Sequence, residues 1–464
     1  MTVLLMTTAP PSNAPWYLGK KLPPLGLSFV AGALENAGFE VQVLDNYMLK
    51  KPIPEVQDII RKLKPQIVGI TCGSATFRRV VETSKAIKEA CPTCKIVVGG
   101  WHASYEPDSI LELPDVDYVV MGEGEHVMVQ LANSLIRGRG EAVPFIAGVG
   151  YKRPDGTIAK TPPDFIKNLD DVPFPARHLL PMELYDRTIE FLSVKPADTM
   201  TIVRGCPFNC AFCETKKLWG NQCRTFSAKR VVDEIEHLQS KWGTRGVYFI
   251  NDNFTIKRQV TMEICDTIKQ RGIDLRWACD TRPDLINLEL LEKMHGAGCE
   301  TIWFGVESGS PRMLERLNKK ITKEQVTEAV KMCRKAGIYV ACSFIMGVPG
   351  ETVADMEESL KFALELDPDW CRFNIYVAYP DSVLYEEVKS KHLYDREEDF
   401  LLYVKTDDFD FELLKKLQSR FHMTFARSSK RIIRKMRREG FLSTFKQGYK
   451  LIHPPKPEKY QPED

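Results

Sequence analysis

The chain has 464 residues, of which 44% are hydrophobic and 27% are charged, and its formal net charge is +2. This length predicts two or three domains of ordinary globular composition. The nearly neutral charge gives no basis for a nucleic-acid-binding function, and no apolar run approaches the ~20 residues that a membrane-spanning helix needs. The 13 cysteines are scattered along the chain and form no disulfide framework. The segment Met1–Met6 also lacks the pattern of a signal peptide. Both observations favour a location in the reducing cytoplasm.

Residues 1–140 alternate short apolar strands with amphipathic helices. Strands are predicted at 3–6, 41–44, 67–71, 96–98 and 118–121, and helices at 24–37 and 56–63. Continuous apolar strands between helices are typical of a parallel, doubly wound, Rossmann-like sheet. Ligands of such a sheet bind beyond the carboxyl ends of its strands.

Candidate ligand-binding residues follow three of these strands. They are Thr71, Ser74, Thr76, Gly99, Gly100, His102, Gly122 and Glu123. With Pro23–Leu27 and Asp45, the runs Val98–His102 and Val120–Glu125 resemble, in order and spacing, the cobalamin-binding domain that precedes many radical S-adenosylmethionine (SAM) domains. The alternative is a Rossmann-like domain that binds a nucleotide or no ligand, although no Gly-x-Gly-x-x-Gly follows the first strand.

A histidine ligand to cobalt is not expected in this domain. Many cobalamin enzymes supply one from an Asp-x-His-x-x-Gly motif, but the corresponding early loop, Asp45–Met48, contains no histidine, and His102 lies in a different loop. The resemblance therefore implies cobalamin bound without histidine ligation, with the loop at 71–77 covering its lower face.

Residues 141–200 form a predicted connector, and a second strand–helix alternation runs from 201 to 385. The connector contains a hairpin turn at Pro154–Thr157 and a proline-rich strap at Leu169–Arg177. Beyond it, strands are predicted at 201–204, 247–251, 275–280, 301–306, 339–345 and 370–377, and helices at 228–240, 258–270, 287–295, 322–336 and 353–366. Six such units favour an open, partial (β/α)6 barrel, because a closed barrel of eight units needs about 250 residues.

A cysteine triplet follows the first predicted strand of this barrel. Cys206, Cys210 and Cys213 have the spacing Cys-x3-Cys-x2-Cys, with Phe212 before the last cysteine. Three thiolates can hold three irons of a cubane cluster and leave the fourth iron open. A zinc site with a distant fourth ligand is the alternative, but such sites usually show a second pair at matching spacing. The triplet resembles the signature of the radical SAM superfamily, in which the open iron binds SAM.

Polar residues follow the later barrel strands, where the active site of a barrel lies. By the resemblance, the candidate SAM-binding residues are Phe212, Asp252, Asn253, Arg282, Glu307, Ser308 and Gly347. Arg282 would pair with the SAM carboxylate or with a substrate anion. The alternative for any single one of these residues is that it only forms hydrogen bonds within the protein, at the rim of the barrel. No catalytic residue is assigned.

Residues 386–464 predict a helical region that ends in a disordered tail from His453. Helices are predicted at 411–425 and 428–436. The run Lys430–Arg438 is strongly basic and has three interpretations: a solvated helix face, a contact with an anionic substrate, or a contact with lipid headgroups at a membrane surface.

The resemblance covers residues 1–385 and implies a cobalamin-dependent radical SAM enzyme with a [4Fe–4S] cluster, SAM and cobalamin as cofactors. Members that methylate use a 5′-deoxyadenosyl radical to remove hydrogen from an unactivated carbon, which then receives a methyl group from methylcobalamin. We expect this activity, a small-molecule, porphyrin-like or lipid substrate, a flavodoxin or ferredoxin as electron donor, and low oxygen.

Three alternatives to methylation remain open on the sequence. One is an oxidative cyclase of the anaerobic magnesium-protoporphyrin monomethyl ester type, and the second is a lipid-tailoring radical enzyme. The third is a cobalamin-binding sensor with a degenerate barrel, against which the intact cysteine triplet argues.

Overall fold

The computed structural model describes residues 2–10, 22–138, 143–428, 431 and 434. These residues form two compact units. The first comprises the described residues up to Asp186 with Thr215–Asn221, and the second comprises Arg187–Glu214 and the described residues from Gln222 onward. The predicted connector at 141–200 is thus divided between the units.

The first unit is built on a sheet of seven strands. The strands are β1 (Thr2–Thr7), β2 (Glu40–Asp45), β3 (Ile67–Thr71), β4 (Lys95–Gly99), β5 (Tyr118–Val120), β6 (Val149–Lys152) and β7 (Ile158–Lys160). Their order is β2-β1-β3-β4-β5-β6-β7. Strands β1 to β5 are parallel, and β6 and β7 form the predicted antiparallel hairpin. The helices are α1 (Leu25–Asn36), α2 (Asn46–Leu49), α3 (Ile53–Leu63), α4 (Phe77–Ala90), α5 (Trp101–Tyr105), α6 (Pro107–Leu111) and α7 (Gly124–Ala132).

Both faces of this sheet are buried, as the apolar strands predict. Alternate residues of β1 enter two separate hydrophobic cores, with Val3 and Leu5 in one and Leu4 and Met6 in the other. The doubly wound, Rossmann-like prediction is confirmed. The strand order changes direction between β1 and β3, and in such sheets a ligand binds at the carboxyl ends of the strands at this switch point.

The proline-rich strap lies against α1. A β-carbon at Gly32 would come within 2.4 Å of the carbonyl oxygen of Phe174, so the strap backbone approaches the helix more closely than any other residue would allow. Further along, the Tyr185 hydroxyl donates a hydrogen bond of 2.6 Å to Asp45 Oδ2. Asp45 thereby holds the connector in place within the first unit.

The second unit is built on a parallel sheet. Its strands and two short bridging strands are β8 (Ala197–Met200), β9 (Val203–Arg204), β10 (Arg224–Thr225), β11 (Gly246–Phe249), β12 (Arg276–Thr281), β13 (Cys299–Glu307), β14 (Tyr339–Met346) and β15 (Trp370–Ile375). Six of them pair in the order β15-β14-β13-β12-β11-β8, all parallel. Among the described residues β15 and β8 are the edges of this sheet, which confirms the open, partial barrel.

Helices connect the strands of the barrel, and most of them begin at a side-chain cap. They are α8 (Thr215–Trp219), which the first unit contains, α9 (Ala228–Trp242), α10 (Arg258–Gln270), α11 (Leu288–Gly296), α12 (Pro311–Arg316), α13 (Lys323–Ala336) and α14 (Val353–Leu366). The predicted cap of α9 is correct, because the Ser227 hydroxyl accepts a hydrogen bond from the Arg230 amide. Thr322 and Thr352 form capping boxes at α13 and α14.

The prediction of the first barrel strand at 201–204 is wrong. The strand lies four residues earlier, at β8, whereas β9 pairs antiparallel with β10. Strand β8 is hard to predict from the sequence because it contains the charged residue Asp198, which is completely buried in the structure. Arg187 neutralises this carboxylate through Nε and Nη2 at 3.0 and 2.5 Å, and the Thr244 hydroxyl donates to it at 2.6 Å. A buried acid is tolerated in a strand only with such partners.

A C-terminal region follows the barrel. It comprises β16 (Val377–Ala378), α15 (Val383–Ser390), β17 (Tyr394–Glu398), β18 (Leu401–Val404) and α16 (Phe411–Ala426), and the last element matches the helix predicted at 411–425. Helix α16 covers the edge strand β15: the Phe373 amide donates to His422 Nε2 at 3.1 Å, and Gln418 Nε2 donates to the Phe373 carbonyl at 2.7 Å. Two side chains one helical turn apart thus satisfy backbone groups that an open sheet edge leaves unpaired.

Most of the basic run Lys430–Arg438, with the helix predicted at 428–436 and the tail from His453, lies outside the described residues. Arg431 and Arg434 are described, and both form ion pairs with Asp367, at 2.5 and 2.6 Å. These two arginines are therefore not part of a fully solvated face. In the described part of the chain, no helix is long and apolar enough to cross a membrane.

Candidate functional site

The cysteine triplet occupies the loop between β9 and α8. Cys206, Cys210 and Cys213 are free thiols, the first two half-buried and the last exposed. Asp252, beyond β11, accepts a hydrogen bond of 2.9 Å from the Gly205 amide, at the start of the loop. At its centre, the Ala211 amide donates to the Leu317 carbonyl at 2.9 Å. The loop is thus anchored to the segment that follows β11 and to Leu317, which lies between β13 and β14.

The thiols are close enough to influence one another. Burial, with smaller contributions from Asp252, Cys213 and Cys210, raises the pKa of Cys206 to about 11, against the opposing effect of a hydrogen bond from the Phe208 backbone. Burial also raises the pKa of Cys210, against the opposing effects of Lys319 and Arg282. Iron would reverse this balance, because a coordinated thiol loses its proton. Among the described side chains, no group of three is already arranged to hold a single metal ion. Three closely spaced cysteines, none of them in a disulfide, fit a three-cysteine cluster site.

Unpaired amide groups lie beside this loop. Asn253 is completely buried, its Oδ1 accepts a hydrogen bond of 2.7 Å from Thr281, and its Nδ2 has no hydrogen-bond partner. Asn251 Oδ1 accepts from the amides of Ile202 and Val203, and its Nδ2 is also unpaired. A buried donor without a partner is costly and points to a group that the protein alone does not supply. These donors fit the polar groups of SAM.

The ends of β12 and β13 converge beneath the triplet. The Arg282 guanidinium lies 3.7 Å from the centre of the Phe208 ring and forms an ion pair of 2.9 Å with Asp284. Glu307, whose φ of +68° is unusual for a residue other than glycine, forms a buried ion pair of 2.8 Å with Lys319. The structure therefore places Arg282 and Glu307, both candidate residues, near Cys210, and it adds Lys319 to this group. Nothing in the sequence around Lys319 signals this position.

Two further candidate SAM-binding residues, Phe212 and Ser308, differ in their surroundings. Phe212 lies within the triplet, with Lys319 Nζ 5.9 Å from its ring centre. Ser308, in contrast, is already engaged, because its hydroxyl pairs with Ser359 and accepts from the Ser310 amide. We propose that Ser308 positions the loop and does not contact SAM.

The loop after β14 is shaped by a buried acid that the sequence analysis did not assign. Gly347 has φ +83°, and its amide donates to Glu351 Oε2 at 2.6 Å. The Val348 amide donates to the same oxygen at 3.0 Å, and burial raises the pKa of Glu351 to about 7. The Glu351 carboxyl thus holds in place the loop that contains Gly347, a candidate SAM-binding residue.

In the first unit, the predicted cobalamin residues lie at the carboxyl ends of β3, β4 and β5. His102 is completely buried, its Nδ1 is 3.1 Å from the Ser74 hydroxyl, and its Nε2 is 3.3 Å from Ser109. Burial lowers the pKa of His102 to about 4, so the ring is neutral. Because both ring nitrogens are engaged, this arrangement supports the proposal of cobalamin binding without histidine ligation.

The other predicted residues of these loops hold the backbone in tight turns. Thr76 closes a turn with Gly73 at 3.0 Å. A β-carbon at Gly100, which has φ +99°, would lie 2.8 Å from the Cys72 carbonyl oxygen. The Gly122 amide donates to Ser104.

The remaining predicted residues lie at strand ends or contact the connector. Thr71 and Gly99 are the last residues of β3 and β4. The Glu123 carboxylate accepts from the Ile166 amide at 2.7 Å and so anchors the connector.

A further polar residue at the switch point was missed. Thr8 directly follows β1, is 1% exposed, and its hydroxyl has no hydrogen-bond partner. It lies where the strand order places a ligand, beside the end of β3. Its unpaired hydroxyl fits a cofactor that supplies the missing partner.

These two units define a radical SAM protein with a cobalamin-binding domain, and comparison with known proteins agrees. The model of the Radical SAM superfamily matches residues 200–363, and that of the B12 binding domain matches residues 17–132. An uncharacterized methyltransferase of Pyrococcus horikoshii is 34% identical over 85% of this chain and 84% of its own. The anaerobic magnesium-protoporphyrin IX monomethyl ester cyclase of Rubrivivax gelatinosus is 32% identical over 80% of this chain and 67% of its own.

Solved structures share the fold. The cobalamin-dependent SAM radical enzyme OxsB, with aqua-cobalamin bound, has a TM-score of 0.75 at 16% identity, over 97% of this chain and 76% of that one. The radical SAM methyltransferase TsrM from Kitasatospora setae has a TM-score of 0.70 at 21% identity, over 85% and 79%. The chain belongs to the cobalamin-binding radical SAM family, as the sequence predicts. It is an enzyme whose cofactors are a [4Fe–4S] cluster, SAM and cobalamin.

Proposed function

We propose that the protein methylates an unactivated carbon of a small molecule. When bound, the cluster and SAM would supply a 5′-deoxyadenosyl radical, and cobalamin would supply the methyl group. The observation that carries the proposal is the anchored triplet of cysteines, none of them in a disulfide, in a chain that also contains a B12 binding domain. The 34% identity to a protein named as a methyltransferase, over most of both chains, supports methyl transfer.

The residues of the chain have distinct roles in this proposal. Cys206, Cys210 and Cys213 would hold the cluster. The side-chain amide of Asn253 would bind a polar group of SAM, since its Nδ2 is a buried donor that lacks a partner. The Glu307–Lys319 pair keeps a carboxylate and an ammonium group side by side below Cys210, in reach of the amino and carboxylate groups of SAM.

The test is anaerobic reconstitution with SAM, methylcobalamin and a chemical reductant. Formation of 5′-deoxyadenosine together with S-adenosylhomocysteine supports methylation. Cys210→Ala should abolish reductive cleavage of SAM, whereas Cys91→Ala, in the other unit, should retain it. Reductive cleavage by Cys210→Ala would refute the assignment of the cluster, and protein that binds no cobalamin would refute that of the first unit.

An oxidative cyclase is the second candidate, favoured by the 32% identity to the Rubrivivax enzyme. It predicts 5′-deoxyadenosine without S-adenosylhomocysteine. A lipid-tailoring activity is favoured by similarity to the hopanoid C-3 methylase of Methylococcus capsulatus, which is 29% identical over 70% of this chain. We propose a flavodoxin or ferredoxin as electron donor and a cytoplasmic, low-oxygen setting, because the cluster cysteines are partly exposed.

A further inference from the structure

The two faces of the six-stranded sheet differ sharply in burial. Alternate strand residues point to opposite faces, and one face is completely closed: Val247, Phe249, Cys279, Ile302 and Phe304 are all 0% exposed. On the other face, the inner face of the partial barrel, the alternate residues Tyr248, Asp280, Trp303 and Ser343 are partly exposed and Arg372 is exposed. Parallel sheets are normally covered on both sides. An open, polar inner face therefore indicates a ligand-binding surface.

The floor of this inner face is aromatic. Phe191, from the chain before β8, packs edge-on against Tyr248 at 4.8 Å and against Trp303 at 5.6 Å between ring centres. The Tyr248 hydroxyl lies 2.8 and 2.6 Å from the two carboxylate oxygens of Asp280 and donates its hydrogen to them. The carboxylate is thus held in one orientation on a rigid floor.

Asp280 is partly buried on this floor. Burial raises its pKa to about 7, and the Tyr248 hydrogen bond and the charge of Arg372 oppose that rise. Its side chain nevertheless keeps partial contact with solvent. Tyr248 supplies a single hydrogen, so the carboxylate retains the capacity to accept further hydrogen bonds.

Arg372 faces the same floor from β15. Its guanidinium lies 4.9 Å from the centre of the Trp303 ring, and none of the described acidic side chains comes within ion-pair distance of it. Its titratable neighbours are Asp280, Tyr248 and His422, and the charge of Arg372 acts to lower the pKa of each. An arginine stacked on tryptophan and lacking a carboxylate partner is suited to bind an anion in two-pronged fashion.

We infer that the inner face of the barrel is the substrate site, and that it takes a small, amphoteric, ring-containing molecule. The anionic group of the substrate, a carboxylate or a phosphate monoester, binds Arg372. A hydroxyl or ammonium group donates to Asp280, and the ring lies on Trp303. This inference rests on the proposed function, since it names the substrate class of the same enzyme. It disfavours a neutral lipid, which would cover the Arg372 guanidinium without supplying an anionic partner.

The test uses calorimetric titration of the reconstituted holoenzyme with four phenyl compounds that differ in polar groups. L-Phenylalanine carries both charges, 3-phenylpropionate and phenyl phosphate carry only the anion, and phenethylamine carries only the cation. We expect L-phenylalanine to bind best. Arg372→Gln should weaken the three anionic compounds about tenfold or more and leave phenethylamine unchanged. Asp280→Asn should weaken L-phenylalanine and phenethylamine but not 3-phenylpropionate.

Arg276→Gln and Asp274→Asn are matched controls, because both residues are exposed near the opposite end of β12. They should bind all four compounds as the unaltered protein does. Anion binding that is equal in Arg372→Gln and Arg276→Gln would overturn the inference, as would the absence of binding to the unaltered protein at millimolar concentration. If the unaltered holoenzyme never cleaves SAM but binds anions through Arg372, the proposed function fails and this inference stands. If it cleaves SAM but does not distinguish the four compounds, only this inference fails.

Discussion

Replacement of Gly205 by alanine should disable the cluster loop while the rest of the protein stays folded. Gly205 immediately precedes Cys206, and its amide donates to Asp252 at 2.9 Å. Its φ is +90°, and a β-carbon would lie 2.4 Å from the carbonyl oxygen of Gln222. The backbone can relieve that clash only by moving away from Gln222, and this movement displaces Cys206.

The cost has two parts. A side chain in the left-handed region costs about 1–2 kcal/mol. Forcing a methyl group into a filled space costs about 1–3 kcal/mol more. The sum is about 2–5 kcal/mol, concentrated in one loop. Gly243, at the end of α9, is a matched control: its φ is +61°, but nothing lies within 4 Å of its β-carbon position, so Gly243→Ala should incur only the first part.

Iron content after anaerobic reconstitution and the rate of 5′-deoxyadenosine formation are the measurements. Gly205→Ala should bind substantially less iron and cleave SAM more slowly, whereas Gly243→Ala should match the unaltered protein in both. Circular dichroism should show that both variants are folded. Equal iron content and equal cleavage by the two variants would refute the argument that the close approach to Gln222 positions the triplet.

Three further predictions concern stability, measured by urea unfolding. Arg187→Met leaves Asp198 completely buried without its cationic partner and should lower the free energy of unfolding by about 3–5 kcal/mol. The pKa of His102, lowered to about 4 by burial, predicts stability that is complete above the unfolded value near 6.5 and declines as the pH falls towards 4, by about 2 kcal/mol between pH 7 and pH 5. His422→Ala removes the acceptor of the Phe373 amide and should cost about 1–3 kcal/mol.

Controls separate these effects from general damage. Arg258→Met breaks only an exposed ion pair and should cost at most about 1 kcal/mol. If Arg187→Met lowered the free energy of unfolding by no more than Arg258→Met does, the argument from the burial of Asp198 would be contradicted. His102→Gln should remove the acid-dependent part of the decline, while replacement of the exposed His126 should not. For His422→Ala, His422→Gln should restore part of the lost stability by supplying another acceptor, and no recovery would argue against the role of this hydrogen bond.

Much of the site could be predicted because its pieces are short and local. The triplet spans eight residues, and the loops after β3, β4, β5, β11, β12, β13 and β14 each follow a recognisable apolar strand. Three features escaped prediction because each depends on a distant partner. Asp198 is acceptable in a strand only beside Arg187, Lys319 matters only opposite Glu307, and Thr8 is notable only because its buried hydroxyl lacks a partner.

The sequence by itself determined the two alternations of strand and helix and the spacing of the cysteine triplet, because hydrophobic periodicity and cysteine spacing are properties of neighbouring residues. The cofactors followed from the resemblance of these motifs to a known family. Only the tertiary structure decided which strand begins the barrel, which polar residues are already used inside the protein, and which remain available. His102 and Ser308 look like ligand contacts in the sequence, but their polar atoms are engaged within the fold. Asp280 and Arg372 look like ordinary strand residues, and the curvature of six parallel strands brings them to one open face. Contacts between residues that are distant in the sequence depend on tertiary packing, and the spacing of residues along the chain does not predict them.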